Sequence, residues 1–340
     1  MTRIGIGLAL LAFLLCVVSP RSAAQTSICI SPFACGQYSL WDASCIPKPP
    51  KTAYACYGFD FTLYCLVMNA NCPAAAGPQE NPCPQCSSGA NKPVLLTSGD
   101  TYIKQTDVTL PGLGGGLSLV RIWNSIWPAT QTAYQTGIFG PNWRCNFEEQ
   151  VFVGADHYVK YARGDGSFWS FGYNGTNYSV VSPGNFGATL SEGDNYWTLT
   201  FKDGEQRLFD NLTGKLTTII DRNGNTTQLT YDSDGRLTTI TDPASRHLYF
   251  TYGTPSGSLV TSVTSDFGSS LSYSYDAQGR LSQYTQIDNT TISFQYDANS
   301  LISAVTDQNG KVLEAHTYDS SGRGLTSSQA NGVNAISISY

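Results

Sequence analysis

The chain has 340 residues, enough for two or three domains with a sizeable core. Only 13% of the residues are charged, and the net charge of −6 is dispersed. No run of lysine or arginine is available to neutralise phosphates, so nucleic-acid binding is not expected. The abundance of Gly, Ser, Thr, Asn and Tyr favours strands and turns over helices, and the predicted fold class is mainly β.

Residues 1–24 have the features of a secretory signal peptide. Arg3 supplies the positive start, residues 4–18 form the apolar core, and Ser-Ala-Ala at 22–24 is a small-residue cleavage site. No second long apolar stretch follows, so no membrane span is expected after signal removal. We therefore expect an exported protein that is secreted, extracellular or held in the cell envelope.

Residues 25–90 form a Cys- and Pro-rich segment whose core is too small to be stable without cross-links. Export and high cysteine density predict a disulfide-rich module. Within it, the C-x-x-C spacing at 83–86 also suits redox exchange or zinc, but no βαβ pattern or second C-x-x-C accompanies it, which favours a local disulfide. Cys145 stands alone, either as a free buried thiol or paired back to the cluster. The candidate disulfide residues are Cys29, Cys35, Cys45, Cys56, Cys65, Cys72, Cys83 and Cys86.

Residues 91–204 are predicted to form a β domain. A Pro-Gly turn at 111–112 precedes the β-prone stretch Val120–Trp123, which indicates strand, loop and strand. Short aromatic-rich strands alternating with Gly turns are then expected at 149–153, 157–162, 167–173, 196–201 and 206–209.

Residues 205–340 are predicted to be repeats, because aromatic anchors recur at spacings of 22, 21, 23, 21, 22 and 22 residues. The array ends in mid-repeat at its last anchor, so either the gene product stops there or the sequence is a fragment of a longer array. The anchors are Phe209, Tyr231, Tyr252, Tyr275, Tyr296, Tyr318 and Tyr340.

The clearest copy of the motif is Tyr-Asp-Ser-Asp-Gly-Arg-Leu at 231–237. Apolar residues alternate before the anchor, which indicates a strand with one buried face. Asp and Gly then form a turn, through a side-chain hydrogen bond to the backbone two residues on and a left-handed glycine. The three-residue offset between Leu237 and Ile240 predicts a β-bulge or a strand with two partly apolar faces. Arg236 is expected to lie across the aromatic face of a neighbouring hairpin.

One repeat is therefore one hairpin, and successive hairpins form an antiparallel sheet. The remaining motif residues are Asp210, Gly214, Asp232, Gly235, Asp276, Gly279, Arg280, Asp297, Asp319, Gly322 and Arg323.

These features resemble the RHS-repeat (YD-repeat) proteins, which are frequent in bacteria. The Pro-Val and Thr-Ser-Gly elements, Leu-Pro-Gly, Arg-Ile-Trp-Asn-Ser at 121–125 and Gly-Pro-Asn-Trp-Arg at 140–144 resemble the domain of unknown function that opens such proteins. The resemblance covers roughly residues 90–340 and implies a sheet that spirals into a hollow shell. With five or six repeats, we expect a curved open sheet, a partial shell whose free edge can pair with another chain.

No catalytic, cofactor or metal site is predicted. His157, His247 and His316 are given structural roles, and Asp221–Asn225 departs from a calcium loop in the position of its Gly and is interpreted as a turn. We expect a non-enzymatic structural, binding or encapsulating protein with a glycan or protein partner.

Two alternatives stay open. One is the truncated carrier of an RHS toxin system, with a downstream RHS or toxin polypeptide as its partner. The core motif at which toxin-delivering members cleave themselves has no counterpart before Tyr340. The other is an exported hydrolase with paired carboxylates in residues 140–210.

Overall fold

The structure, a computed structural model, describes residues 94–95 and 98–340 other than 155, 184–186, 254–256 and 331, together with the backbone of five earlier strands. The predicted signal peptide lies outside the described residues. So do the side chains of the eight clustered cysteines, and their disulfides stay a prediction. The chain divides into two compact units, residues 1–76 with 173–175, and residues 77–172 with 176–340.

The first unit contains a four-stranded antiparallel sheet in the order β1-β2-β4-β3. Its strands are β1 (Ser27–Ile30), β2 (Ala34–Trp41), β3 (Ala53–Tyr57) and β4 (Leu63–Asn69).

The second unit begins with small sheets. Strand β8 lies between β7 and β11, β9 pairs with β10, and β5 pairs with β6. Short 3-10 turns occupy Leu113–Gly115 and Ala129–Tyr134. We call residues 98–148 the covering segment. The strands of this part are β5 (Gly89–Ala90), β6 (Val94–Leu95), β7 (Tyr102–Leu110), β8 (Leu117–Asn124), β9 (Thr136–Gly137), β10 (Gly140–Pro141) and β11 (Trp143–Cys145).

The rest of the second unit is built on one antiparallel sheet of 19 strands, each bonded to its neighbours in sequence. The linear order means that the sheet is open. The mainly β fold and the hairpin repeats are thus confirmed. The strands are β12 (Gln150–Val153), β13 (Val159–Ala162), β14 (Phe168–Tyr173), β15 (Tyr178–Ser182), β16 (Thr189–Glu192), β17 (Tyr196–Thr200), β18 (Gln206–Asp210), β19 (Leu216–Ile220), β20 (Thr226–Tyr231), β21 (Leu237–Thr241), β22 (His247–Tyr252), β23 (Val260–Ser265), β24 (Ser270–Tyr275), β25 (Leu281–Thr285), β26 (Thr291–Tyr296), β27 (Ile302–Asp307), β28 (Val312–Tyr318), β29 (Gly324–Gln329) and β30 (Val333–Ser337).

The sheet continues without a break across residue 204, where the sequence suggested a domain boundary; the boundaries themselves stay predictions. Strands β15 and β16 were not predicted. Among the described residues, no helix has the length and hydropathy of a membrane span.

Each repeat contains a β-bulge at its anchor, as the Leu237–Ile240 offset predicted. Tyr231 pairs with Leu237 while Thr230 pairs with Thr239, which leaves Thr238 as the extra residue. Leu237 and Ile240 consequently face the same way, and both are buried. The Thr238 hydroxyl donates to the Thr230 carbonyl at 3.0 Å. Equivalent hydroxyls donate in the same way from Thr217, Thr261, Ser282 and Ser303.

The core lies on one face of the repeat sheet, which we call the inner face. Alternate residues of β20 to β27 are buried there, as period-two strands require. They include Leu229, Leu248, Phe250, Val263, Leu271, Tyr273, Tyr284, Phe294 and Val305.

Candidate functional site: the turn edge and inner face of the repeat sheet

The Asp-x-x-Gly turns adopt the conformation expected from the sequence. In the 231–237 repeat, Asp232 Oδ1 accepts hydrogen bonds from the backbone N–H groups of Asp234 (3.0 Å) and Arg236 (2.9 Å). Gly235 has a left-handed φ of 73°. Asp276, Asp297 and Asp319 accept the same pair of bonds. Ser300 takes the glycine position with a φ of 65°.

The first motif copy is a longer variant of this turn. Asp210 Oδ1 accepts from the N–H groups of Leu212 and Thr213, and Gly214 has a φ of 69°. At the other end of a hairpin, Asp221 Oδ1 accepts from the N–H groups of Asn223 and Asn225, both at 2.8 Å. The Asp221–Asn225 segment is therefore a turn, as the sequence indicated.

The motif arginine links two repeats. Arg236 Nε donates to Asp232 Oδ2 at 2.8 Å, and its guanidinium carbon lies 5.0 Å from the ring centroid of Tyr252, the next anchor. This is the position across a neighbouring aromatic face that the sequence suggested. Arg280 and Arg323 repeat the arrangement over Tyr296 and Tyr340, at 4.5 and 4.3 Å.

The anchor tyrosines also hydrogen bond backward along the chain, which sequence reasoning missed. Tyr252 donates its phenol hydrogen to the Leu237 carbonyl at 3.0 Å, beside the bulge of the preceding repeat. Burial raises the pKa of Tyr252 above its usual range, so the phenol remains a donor at neutral pH. The same bond is made by Tyr231 to Leu216, Tyr275 to Val260, Tyr296 to Leu281, Tyr318 to Ile302 and Tyr340 to Gly324.

Lys215 replaces the arginine over Tyr231, at 5.6 Å from the ring centroid. Two other anchors follow turns with no cation at the arginine position, and the covering segment contacts both. The turn before Tyr318 has Leu301 at the arginine position. There, the ring of Trp123 lies edge-on to Tyr318 at 6.4 Å. At Tyr275, Gly140 approaches so closely that an added Cβ would lie 3.7 Å from the ring and 2.9 Å from the Gly279 carbonyl oxygen.

A buried ion pair lies where the covering segment meets the inner face. The extra residue of a bulge in β7 is Asp107, and Arg121 in β8 is bound to it through Nε at 2.5 Å and through a terminal nitrogen at 2.9 Å. Both side chains are 0% exposed. Tyr273 of the repeat sheet donates its hydroxyl to the same carboxylate at 2.7 Å.

Four aromatic rings surround the Arg121 guanidinium at 4.6 to 5.2 Å, two from each side of the contact. Phe139 and Trp143 belong to the covering segment, and Tyr273 and Tyr284 belong to the repeat sheet. Burial acts to lower the pKa of Arg121, but the charge and hydrogen bonds of Asp107 outweigh it and raise that pKa. Burial and the Asp107 charge raise the pKa of Tyr273, which stays a hydrogen-bond donor.

Backbone hydrogen bonds attach the covering segment and the first residues after it to the repeats at several points. Val260 N donates to Ile138 O at 2.8 Å, and Gly324 N donates to Gly99 O at 2.8 Å. The approach is closest at Gly214, where an added Cβ would lie 2.0 Å from the carbonyl oxygen of Val151. A repeat glycine such as Gly214 thus adopts the left-handed conformation that the turn requires, and its lack of a side chain also leaves room for a neighbouring strand.

Two carboxylates of the 140–210 region, where the hydrolase alternative would have its pair, hold strands together. Glu149 accepts from the Tyr161 hydroxyl at 2.6 Å and pairs with Arg207. Glu148 accepts from the N–H groups of Ile138 (2.8 Å) and Cys145 (2.9 Å). Each carboxylate therefore has a structural task in this geometry.

The remaining candidates are separated from one another. His247 Nδ1 lies 2.7 Å from Asp266 Oδ2, His316 is buried, and His157 occupies a left-handed position before β13. Cys145 is buried and forms no disulfide within the described residues, and burial raises its pKa. No group of three or more metal-ligating side chains occurs within the part of the chain that the structure describes.

This geometry defines a class of protein, namely one built on an open antiparallel sheet of hairpin repeats. The inner face of that sheet packs on a preceding β segment. Residues 91–171 match the family model described as a domain of unknown function, DUF6531. Residues 211–247 and 255–291 match the RHS Repeat model. The chain is therefore an RHS-repeat protein in which a DUF6531 domain precedes the repeats, which confirms the resemblance seen in the sequence.

Several solved structures are similar to the chain at low identity. They include TcdB2-TccC3-TEV (12% identity, 73% of this chain and 16% of that chain, TM-score 0.29) and TcdB2-TccC3 (18%, 70% and 13%, TM-score 0.27). A third is a Photorhabdus luminescens Tc holotoxin pore (13%, 67% and 14%, TM-score 0.29). The chain thus spans less than a fifth of each of these chains. No curated protein sequence matched.

Proposed function

We propose that this RHS-repeat protein is exported and acts as a non-catalytic structural element, building one part of an enclosing sheet. One observation carries the proposal: the inner face of the repeats packs on the chain's own covering segment around the buried Arg121–Asp107 pair. A sheet whose inner face is covered in this way encloses a packed interior. The Asp, Arg and Tyr side chains of the repeats hold neighbouring hairpins of that sheet together.

The proposed partner is a protein strand that adds to the free edge of the sheet. Strand β30 is hydrogen bonded to β29, and its residues are mostly exposed, including Val333 at 57%. An exposed edge strand presents backbone donors and acceptors that pair readily with another chain. A glycan at exposed tyrosines such as Tyr249 is the other ligand class to test.

Pull-down from envelope extract with the purified protein tests this role. We expect capture of a polypeptide that is lost when Ala335 in the middle of β30 is replaced by Pro, because proline removes a ladder donor. The matched control is Ser339→Pro, which lies beyond the end of β30. Ala304→Pro is not a suitable control, because Ala304 lies in a strand inside the sheet. If the pull-down captures no polypeptide and the glycan array shows no binding, the two results together would count against a binding role.

Export rests on residues 1–24 and is tested by fractionation. The full chain is expected outside the cytoplasm, and a chain lacking residues 1–24 is expected to remain inside. Equal distribution of the two would overturn the proposal that the protein is secreted or located in the envelope.

The second candidate function is the carrier part of an RHS toxin system. It is favoured by Tyr340, whose hydroxyl donates to Gly324 O at 2.9 Å as the earlier anchors do, so the sheet edge is in phase for another repeat. Sequencing beyond the Tyr340 codon tests it: further Tyr-Asp repeats support the carrier, and an unrelated gene or a terminator removes it.

Catalysis is tested by incubating the protein with polysaccharides. No turnover is expected, because Glu148 and Glu149 are engaged in holding strands. Turnover abolished by Glu149→Gln would establish a carboxylate-dependent hydrolase instead.

A further inference from the structure

The turn at residues 98–101 joins the beginning of the covering segment to the last repeats. Gly324 donates its backbone N–H to Gly99 O at 2.8 Å. Gly99 has a left-handed φ of 77°, and an added Cβ there would lie 2.7 Å from Cβ of Arg323. Since the two backbones are packed this closely, a small displacement of the turn breaks the hydrogen bond.

Asp100 lies in the middle of this turn and is 0% exposed. Its Oδ1 accepts hydrogen bonds from the Ile126 N–H at 3.0 Å and the Ser125 hydroxyl at 3.2 Å. Its Oδ2 is also buried and has no hydrogen-bond partner among the described residues. A neutral carboxyl tolerates such a site far better than a carboxylate, whose charge would be divided over both oxygens.

No cation neutralises Asp100 within the described residues. Its surroundings on the repeat side are Tyr318 and the Arg323 turn, and Arg323 is paired with Asp319 at 2.7 Å. Asp297 and Glu314 also act on Tyr318 and add negative charge to this region. Burial raises the pKa of Asp100 to about 7, although the bonds from Ile126 and Ser125 act to lower it.

We propose that Asp100 is a proton-controlled latch, which in its neutral form holds the 98–101 turn against the Arg323–Gly324 turn and on ionisation releases it. The buried Oδ2, which has no partner in the part of the chain that the structure describes, and the close contact at Gly99 carry this inference. Release uncovers the inner face of the last repeats, beginning at Tyr318. The device opens the sheet at this end in neutral to alkaline solution and closes it in acid.

The direction follows from proton linkage. The folded protein binds the Asp100 proton more tightly than the unfolded chain, so the stabilisation is complete below the unfolded pKa of 3.8. It declines as the pH rises and is lost once the pH passes about 7. Over that range a single group changes the opening equilibrium by about tenfold per pH unit.

Amide hydrogen exchange of the full-length protein, followed by mass spectrometry from pH 5 to pH 9, tests the latch. The wild type is compared with Asp100→Asn at each pH, which cancels the intrinsic pH dependence of exchange. In peptides containing Gly324 and Ile126, the ratio of wild-type to variant exchange is expected to rise about tenfold per pH unit from pH 5 to about pH 7 and to stay constant above that. At pH 8.5 the wild type is expected to exchange at least tenfold faster than the variant. A constant ratio across the range would overturn the proposal.

Two further variants keep the test decisive. Asp288→Asn is the control at an exposed turn, where hydrogen bonds from Thr290 lower the pKa of the Asp288 carboxyl. Exchange in this variant is expected to match that of the wild type above pH 5. Ser125→Ala removes the hydroxyl that donates to Asp100 and accepts from the Thr101 N–H, so exchange is expected to be faster at every pH and the midpoint of the protection loss is expected to move to higher pH. If Asp100→Asn does not fold, the Ser125→Ala midpoint decides: an unchanged or lower midpoint overturns the latch.

Discussion

Two regions of this protein use the same three side chains, Asp, Arg and Tyr, at different burial. Inside the molecule, Asp107 and Arg121 are 0% exposed, and Tyr273 joins them from 166 residues away. At the turn edge, Asp232 and Arg236 are 24% and 21% exposed, and the set recurs along the repeats. Charges in a dry interior depend fully on each other, whereas water compensates for a lost partner at an edge. The single buried set therefore fixes where the covering segment lies, and each edge set adds a small increment.

Breaking the buried pair is expected to have the largest effect. Asp107→Ala leaves the Arg121 charge buried without a partner and should lower the free energy of unfolding by about 3–5 kcal/mol. The matched edge change, Asp276→Ala, should cost clearly less, because Asp276 is partly exposed. Urea denaturation measures both. Equal losses would mean that burial does not distinguish the two regions.

The double variant Arg121→Met with Asp107→Leu provides the control. It removes both charges and retains apolar volume, so it should unfold at a higher urea concentration than Asp107→Ala alone. A double variant less stable than the single one would show that the pair acts through its shape rather than its charge.

Glycine replacements separate turn geometry from packing. Gly214→Ala and Gly310→Ala both place a side chain at positive φ, 69° and 77°, at a cost of about 1–2 kcal/mol. A Cβ at Gly214 meets the Val151 carbonyl oxygen at 2.0 Å, whereas a Cβ at Gly310 has no neighbour within 4 Å among the described residues. Gly214→Ala should therefore cost about 1–3 kcal/mol more. Identical urea midpoints would remove the packing role of Gly214.

The repeat could be predicted from sequence because its chemistry is local. Asp232, Gly235 and Leu237 define the turn and the next strand within seven residues, and the following anchor lies one repeat away. A further local signal was overlooked: Ser or Thr follows Leu216, Leu237, Val260, Leu281 and Ile302, where its hydroxyl bonds across the bulge.

The inner contact could not be predicted in the same way. Nothing near Asp107 in sequence indicates that a bulge in β7 turns it toward Arg121, or that Tyr273 reaches the same carboxylate. The alternation of β24 indicated a buried face and not what would cover it. Strands β15 and β16 were missed because their sequences, Tyr-Ser-Val-Val-Ser and Thr-Leu-Ser-Glu, are short and are separated by a segment that begins with Pro183.

Removing one anchor hydroxyl is expected to have a moderate effect. Tyr252→Phe takes away the donor to the Leu237 carbonyl and should lower the free energy of unfolding by about 1 kcal/mol. Tyr249→Phe, on the opposite and more exposed face of the same strand, is the matched control and should change little. If both variants unfold at the same urea concentration, the anchors contribute packing alone.

The acid response of the turn edge is expected to be the smallest effect per residue. The backbone N–H and guanidinium of Arg236 hold the pKa of Asp232 below its usual value. Its contribution is present above the unfolded pKa of 3.8 and is lost as the pH falls through the lower folded value. Asp232→Asn should therefore reduce the drop in Tm between pH 5 and pH 2, and an unchanged drop would contradict this role.

The central claim is that the covering segment and the repeat sheet are held together by the buried set, and a double-mutant cycle between Asp107 and Tyr273 tests it most directly. Asp107→Ala, Tyr273→Phe and the double variant are unfolded in urea under one condition. We expect a coupling free energy of about 1–2 kcal/mol, within the range of about 0.5–3 kcal/mol for residues in direct contact. Additivity to within about 0.3 kcal/mol would show that the two residues do not interact and would contradict the account.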